Sequence, residues 1–168
     1  MDRGITSTPA GVLFVADTRN HTIRQVSFDG ANWVTTTIAG KPETPGTANG
    51  VGAAARFNEP AAIARDTDGT LYVADFQNHA IRKMTFAANV WTVTTFAGLP
   101  GVAGSSDGQG STARFNQPQG LAIDSAHCVY VADAGNHTIR RITPGGVVRT
   151  IGGRVGHAGI ADGTGSQA

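Results

Sequence analysis

At 168 residues the chain has room for one ordinary domain, and 40 % hydrophobic residues place it among globular proteins and not among disordered ones. Frequent glycine (23 residues) with only 15 % charged residues suits a turn-rich all-β protein. Thirteen basic and twelve acidic residues give a net charge of +1, scattered along the sequence, which excludes the concentrated basic surface that nucleic acid needs as a partner.

The first residues, Met1-Asp2-Arg3-Gly4-Ile5, contain no apolar run of signal-peptide type. No apolar stretch reaches the length of a membrane span, so the expectation is a soluble chain with no membrane partner and an undecided compartment. Cys128 is the one cysteine and has no intrachain disulfide partner. Its surroundings, Ala126-His127-Cys128-Val129-Tyr130, read as a turn entering a strand. A packing role is expected there, since a nucleophilic thiol needs an activating neighbour that the local sequence does not offer.

Taken in chain order, the elements repeat. Val15-Ala16-Asp17 ends a strand, and Asn20-His21-Thr22-Ile23-Arg24 follows across a turn. Asp29-Gly30 then marks a hairpin, and Ile38-Ala39-Gly40 closes the unit. The same features return 58 residues later as Val73-Ala74-Asp75, Asn78-His79-Ala80-Ile81-Arg82 and Phe96-Ala97-Gly98. They return again as Val131-Ala132-Asp133, Asn136-His137-Thr138-Ile139-Arg140 and Ile151-Gly152-Gly153, with a shorter last hairpin at Pro144-Gly145-Gly146. Asn58-Glu59-Pro60 and Asn116-Gln117-Pro118 stand before the second and third units. Short apolar runs with period two, separated by turn formers, predict four strands per unit and no helix. Antiparallel meanders at this period predict propeller blades. The expected division is blade 1 at 1–40, a linker at 41–60, blade 2 at 61–98, a linker at 99–118, blade 3 at 119–153, and a linker-like tail at 154–168.

The pattern V-A-D-x-x-N-H-x-I-R, with A-R-F-N-x-P ahead of the inner strand, resembles the NHL repeat family. Thr or Ala follows each Asn-His pair where the family's name has Leu. The resemblance implies an all-β β-propeller with three four-stranded antiparallel blades in this chain, in a family whose rings typically have six. It does not imply one activity. Propeller enzymes that resemble this fold, the amidating lyase of peptide-hormone maturation and lactonase-like proteins, hold a metal in the central channel. The inner strands here (Arg3-Gly4-Ile5-Thr6, Ala61-Ala62-Ile63-Ala64 and Gln119-Gly120-Leu121-Ala122) are poor in ligands. No catalytic residue, metal or cofactor is therefore expected. RNA-binding relatives imply a basic face, for which this chain has only Arg140-Arg141 and Arg82-Lys83.

Residues that recur in every unit are expected to fold the repeat. Asp17, Asn20 and Arg24, with Asp75, Asn78, Arg82 and Asp133, Asn136, Arg140, are read as hydrogen-bonded ion-pair networks fixing the second hairpin. His21, His79 and His137 are read as packed turn residues. Adjacent sheets lie about 10 Å apart, too far for one zinc to bridge equivalent histidines with bonds of about 2.0–2.1 Å. The glycine-rich linkers lack both the Lys-Ser/Thr of a phosphate loop and the acidic density of a calcium loop. Phe57 and Phe115 are expected to plug between blades, and Trp33 and Trp91 to pack at the outer edges. The candidate ligand face comprises Arg19, Phe76 and Gln77 on the turns between second and third strands, beside Thr18, Ala134 and Gly135. Arg56 and Arg114 join it, or pair with a carboxylate.

Three blades leave two apolar sheet faces open. Met1 aligns opposite Glu59 and Ala168 opposite Ala113, so the chain reads as half a ring. Its expected first partner is itself, in a homodimer of two half-rings, with a protein or carbohydrate ligand on the loop face. A piece of a larger repeat protein, with no function of its own, is the other reading.

Overall fold

The recurring Val-Ala-Asp tripeptides end the second strand of three successive antiparallel meanders in the computed structural model, which describes residues 4–159 and 162–165. Blade 1 runs β1 (Gly4–Ser7), β2 (Leu13–Asp17), β3 (Thr22–Phe28) and β4 (Trp33–Gly40), hydrogen-bonded in that order. Blade 2 repeats it with β6 (Pro60–Arg65), β7 (Leu71–Asp75), β8 (Ala80–Ala87) and β9 (Val90–Ala97). Blade 3 does so with β11 (Pro118–Ile123), β12 (Val129–Asp133), β13 (Thr138–Ile142) and β14 (Val147–Gly153). Arg3 and most of the tail's end lie outside the described residues.

Each linker does more than connect. Gly50–Val51 (β5) pairs with the outer strand β9, and Gly108–Gln109 (β10) pairs with β14, so blades 2 and 3 have five strands and not the expected four. The two residues are too few to register as a strand in a periodic reading. The linker thus straps the outer edge of the blade it leads into, and this covers an edge that would otherwise offer unpaired backbone groups.

The turn between second and third strands is a single 3-10 turn in every blade, and it ends on a histidine in the left-handed region: His21, His79 and His137 at φ 57°, 54° and 59°. The Gly that closes each blade is a steric requirement. Gly98 has φ +92°, and an added Cβ would sit 2.8 Å from the His79 carbonyl oxygen and 3.1 Å from the Phe115 ring. Gly40 and Gly153 repeat that geometry against His21 and His137.

Burial follows the order of the blades. The middle blade is covered on both faces, so every residue of Leu71–Asp75 is buried, while its counterpart Leu13–Asp17 is only partly so. One core lies between blades 1 and 2, built from Phe14, Ile23, Phe57, Ile63, Leu71 and Met84. A second lies between blades 2 and 3, with Tyr72, Ile81, Phe115, Val129, Val131 and Ile142. Residues at one register therefore differ in exposure by their neighbour alone. Ile63 is 5 % exposed and Ile5 is 62 %; Ile81 is fully buried and Ile139 is 44 % exposed.

Candidate functional site

The recurrent polar residues meet at one place in each blade. In blade 2 the Asp75 carboxylate accepts from the Asn58 N–H (2.7 Å), Asn78 Nδ2 (2.8 Å) and Arg82 (2.7 Å). Arg82 also donates to the carbonyls of Arg56 and Ala48 and to the Asn49 side chain. Its guanidinium lies 5.4 Å from the Phe57 ring centre. Blade 3 repeats the arrangement with Asp133, Asn116, Asn136 and Arg140, and Asp107 stands where blade 2 has Asn49. Both side chains of each pair, Asp75–Arg82 and Asp133–Arg140, are fully buried. Burial pushes the Asp75 and Asp133 carboxyls up, against the pull of their arginines and the three donors on each. A buried ion pair holds its place when its remaining valences are satisfied, and here the linker supplies them. The linker partners Asn49 and Asp107 escaped sequence reasoning because their residue type differs between units.

Blade 1 holds a looser version. Asn20 reaches both Asp17 oxygens at 3.0 Å, and Arg24 lies 3.4 Å from Asp17 with its side chain 34 % exposed.

The histidines act between blades. His21 Nδ1 accepts the Glu59 N–H at 3.0 Å, and His79 Nδ1 accepts the Gln117 N–H at 3.1 Å, each reaching the start of the next blade's inner strand. Burial lowers the His79 pKa, in keeping with a neutral ring that accepts. His137 is exposed. Among the described residues no group of three or more His, Cys, Asp or Glu side chains is placed to hold a metal ion, and no helix is long and apolar enough to cross a membrane.

The structure corrects part of the candidate ligand face. Phe76 is 8 % exposed, because the turn folds its ring inward. Thr18 is 2 % exposed and donates to the Pro60 carbonyl. Arg56 donates to the carbonyls of Ala53 and Ala55, and Arg114 to those of Ser111 and Ala113, so both are half-buried clasps on the linker's 3-10 turn, bound to carbonyls and not to a carboxylate. Arg19 is exposed, and Gln77 and Gly135 are half-buried. Phe57 and Phe115 are fully buried between blades. Trp91 packs edge-on against Phe14 of blade 1 at 5.5 Å, whereas Trp33 is 62 % exposed with Phe28 beside it.

Two contacts were not legible in the sequence. His127 Nδ1 lies 2.8 Å from the buried Asp66 carboxylate of blade 2, and that hydrogen bond and charge raise the His127 pKa. Arg141 reaches the buried Cys128 Sγ at 2.9 Å. Both are long-range pairs formed once, with no repeat to announce them.

Consecutive meanders stacked face to face and strapped by their linkers define a β-propeller protein. Residues 57–84 and 115–142 match the NHL repeat, and the chain belongs to the NHL-repeat propeller proteins. It is 34 % identical over 140 residues to NHL repeat-containing protein 2 of Bos taurus, covering 79 % of this chain and 19 % of that one. The chain therefore spans about a fifth of that relative's length. Among solved structures it resembles an auxiliary nutrient binding protein from Bacteroides thetaiotaomicron (TM-score 0.66, 21 % identity, 89 % of this chain and 35 % of that one). It also resembles a streptogramin B lyase (TM-score 0.56, 17 % identity, 89 % and 39 %). These two likenesses concern the fold alone.

Proposed function

We propose that this chain is a non-catalytic scaffold that pairs through its open end blades into a six-bladed ring and presents its turn face to a protein or carbohydrate ligand. The observation that carries the pairing is the contrast at fixed register. Ile5 and Ile139 are exposed where their equivalents in the middle blade are buried, so each end blade shows the face that its neighbours cover. The two open faces are complementary in kind, since one is the side that blade 2 turns to blade 1 and the other the side it turns to blade 3. Two copies joined head to tail, twice, close a ring with twofold symmetry. The ligand face rests on Arg19, Gln77 and Gly135, which differ between blades at equivalent turn positions while the Asp–Asn–Arg latch around them (Asp75, Asn78 and Arg82 in blade 2) repeats. In blades 2 and 3 the buried carboxylates and guanidinia are bonded to one another and to the linker backbone, which commits them to the frame.

Light scattering on a sizing column across a dilution series tests the pairing. A species of twice 17.2 kDa that splits on introducing Ile139→Glu supports it, and a folded monomer at every concentration refutes it. One tightly bound metal per ring, recovered after chelation and re-addition, would refute the non-catalytic part.

A further inference from the structure

Blade 1 contains a vacant copy of a pocket that is filled in the other two blades. The cavity has a volume of 280 Å³ and is lined by Val15, Asp17, Arg24, Val26 and Thr35. Their equivalents in blade 2, at the 58-residue spacing, are Val73, Asp75, Arg82, Met84 and Val93. All five are fully buried around Phe57. In blade 3 the counterparts Val131, Asp133, Arg140, Ile142 and Val148 enclose Phe115 in the same way. The polar half of the socket is also prepared. Where Arg82 bonds two linker carbonyls and Asn49, Arg24 has, among the described residues, only its long contact with Asp17. Where Asp75 Oδ1 takes the Asn58 N–H, both Asp17 oxygens are shared with Asn20.

We infer that this socket binds, in trans, a peptide segment with the chemistry of the chain's own linkers: Asp or Asn followed eight residues later by Phe, within Ala-Arg-Phe-Asn. The phenylalanine ring would fill the cavity under Arg24, the carboxylate or amide would reach the guanidinium, and the N–H of the following Asn would take one Asp17 oxygen. Both occupied sockets in this molecule hold that segment, and no other residue type occupies the Phe position in either. The inference shares the open face of blade 1 with the proposed pairing but does not require a second copy of the chain.

The test uses the full 168-residue chain and a labelled peptide of residues 106–116, Ser-Asp-Gly-Gln-Gly-Ser-Thr-Ala-Arg-Phe-Asn, followed by fluorescence anisotropy at the lowest concentration reached in light scattering. Saturable one-to-one binding is expected, with a blue shift of Trp33 emission in the unlabelled titration. A peptide carrying Phe115→Ala should bind at least tenfold more weakly, and Thr35→Trp in the chain, an exposed site that tolerates a large side chain, should block the cavity with the fold intact by circular dichroism. Absent binding, equal binding of the alanine peptide, or unchanged binding to the folded Thr35→Trp chain each overturns the inference. Failure of the pairing reads out separately, as a constant mass near 17.2 kDa. Peptide binding by such a monomer supports the socket on its own.

Discussion

Replacing Asp75 with Asn removes one charge from a site in which both partners of the ion pair are fully buried, and it leaves the Arg82 guanidinium facing an amide. The magnitude follows from what the carboxylate does. It accepts from Asn58, Asn78 and Arg82 on two oxygens. An Asn side chain has one acceptor oxygen, so its NH2 must face a donor whichever way it is turned. Breaking one partner of a buried pair costs about 3–5 kcal/mol because the other charge stays buried without compensation. The same substitution at Asp17 meets an ion pair at 3.4 Å whose arginine is a third exposed, so the charge pair itself contributes only about 0–1 kcal/mol there. Urea unfolding followed by circular dichroism, with both variants at the same low concentration, gives the comparison. Asp75→Asn should lose about 3–5 kcal/mol, a large share of the about 5–15 kcal/mol of a typical domain, and Asp17→Asn should lose clearly less. Equal losses, or an Asp75→Asn loss below about 1.5 kcal/mol, the size expected of a single ordinary hydrogen bond, would refute the claim that linker capping makes the buried latch structural.

Phe115→Ala empties a fully buried site and should destabilise by about 3–5 kcal/mol, read from the same denaturation curves. Gly98→Ala should cost about 1–3 kcal/mol, from a positive φ and a Cβ forced against the His79 carbonyl, whereas Gly11→Ala, at φ +82° with nothing within 4 Å, should lose less. Two histidines should move the pH dependence of the melting temperature in opposite directions. Asp66 raises the folded-state pKa of His127 above 6.5, so its contribution is complete below about 6.5 and fades as pH rises through the raised value. Burial lowers the folded-state pKa of His79, so its contribution is complete above about 6.5 and fades as pH falls toward the lowered value. His127→Gln should therefore remove part of the loss on the alkaline side, and His79→Gln part of the loss on the acid side. Unchanged profiles in both would count against these contacts.

The blades could be read from the chain because a repeat displays its own constraints three times over. Asp75, Asn78 and Arg82 are close in sequence and each must recur, so their meeting was legible in the sequence. Phe57 and Phe115 were legible for the same reason. The histidine contact spans 38 residues, from His21 to Glu59 and from His79 to Gln117, and its acceptor role is set by the backbone of a different blade. Sequence order gives no hint of that. Phe76 was misplaced because a variable turn residue looks exposed by pattern, while its actual direction depends on how a 3-10 turn follows Asp75. The clasp made by Arg56 and Arg114 was hidden in the same way, since a carbonyl acceptor leaves no side-chain signature.

The way polar groups are used also limits where recognition can sit. In blades 2 and 3 the recurrent charged residues are consumed by the Asp–Asn–Arg network, and linker and tail residues are bonded to the turn face as well: the Asn20, Asn78 and Asn136 carbonyls accept the N–H groups of Glu43, Gly101 and Gly156. A ligand that competed for those groups would have to unfold a blade to bind. On the proposed scaffold reading, specificity would come from positions that the network leaves unspecified, and at the turn these are Arg19, Gln77 and Gly135. A cation, an amide and no side chain at equivalent points give a surface that changes chemistry from blade to blade on a frame that does not. Substituting Arg19→Ala or Gln77→Ala should consequently leave the melting temperature within the range of ordinary surface changes, about 0.5 kcal/mol in stability, while altering capture of any ligand held by that face. A large loss of stability in either variant would place that residue in the frame and not on the binding surface.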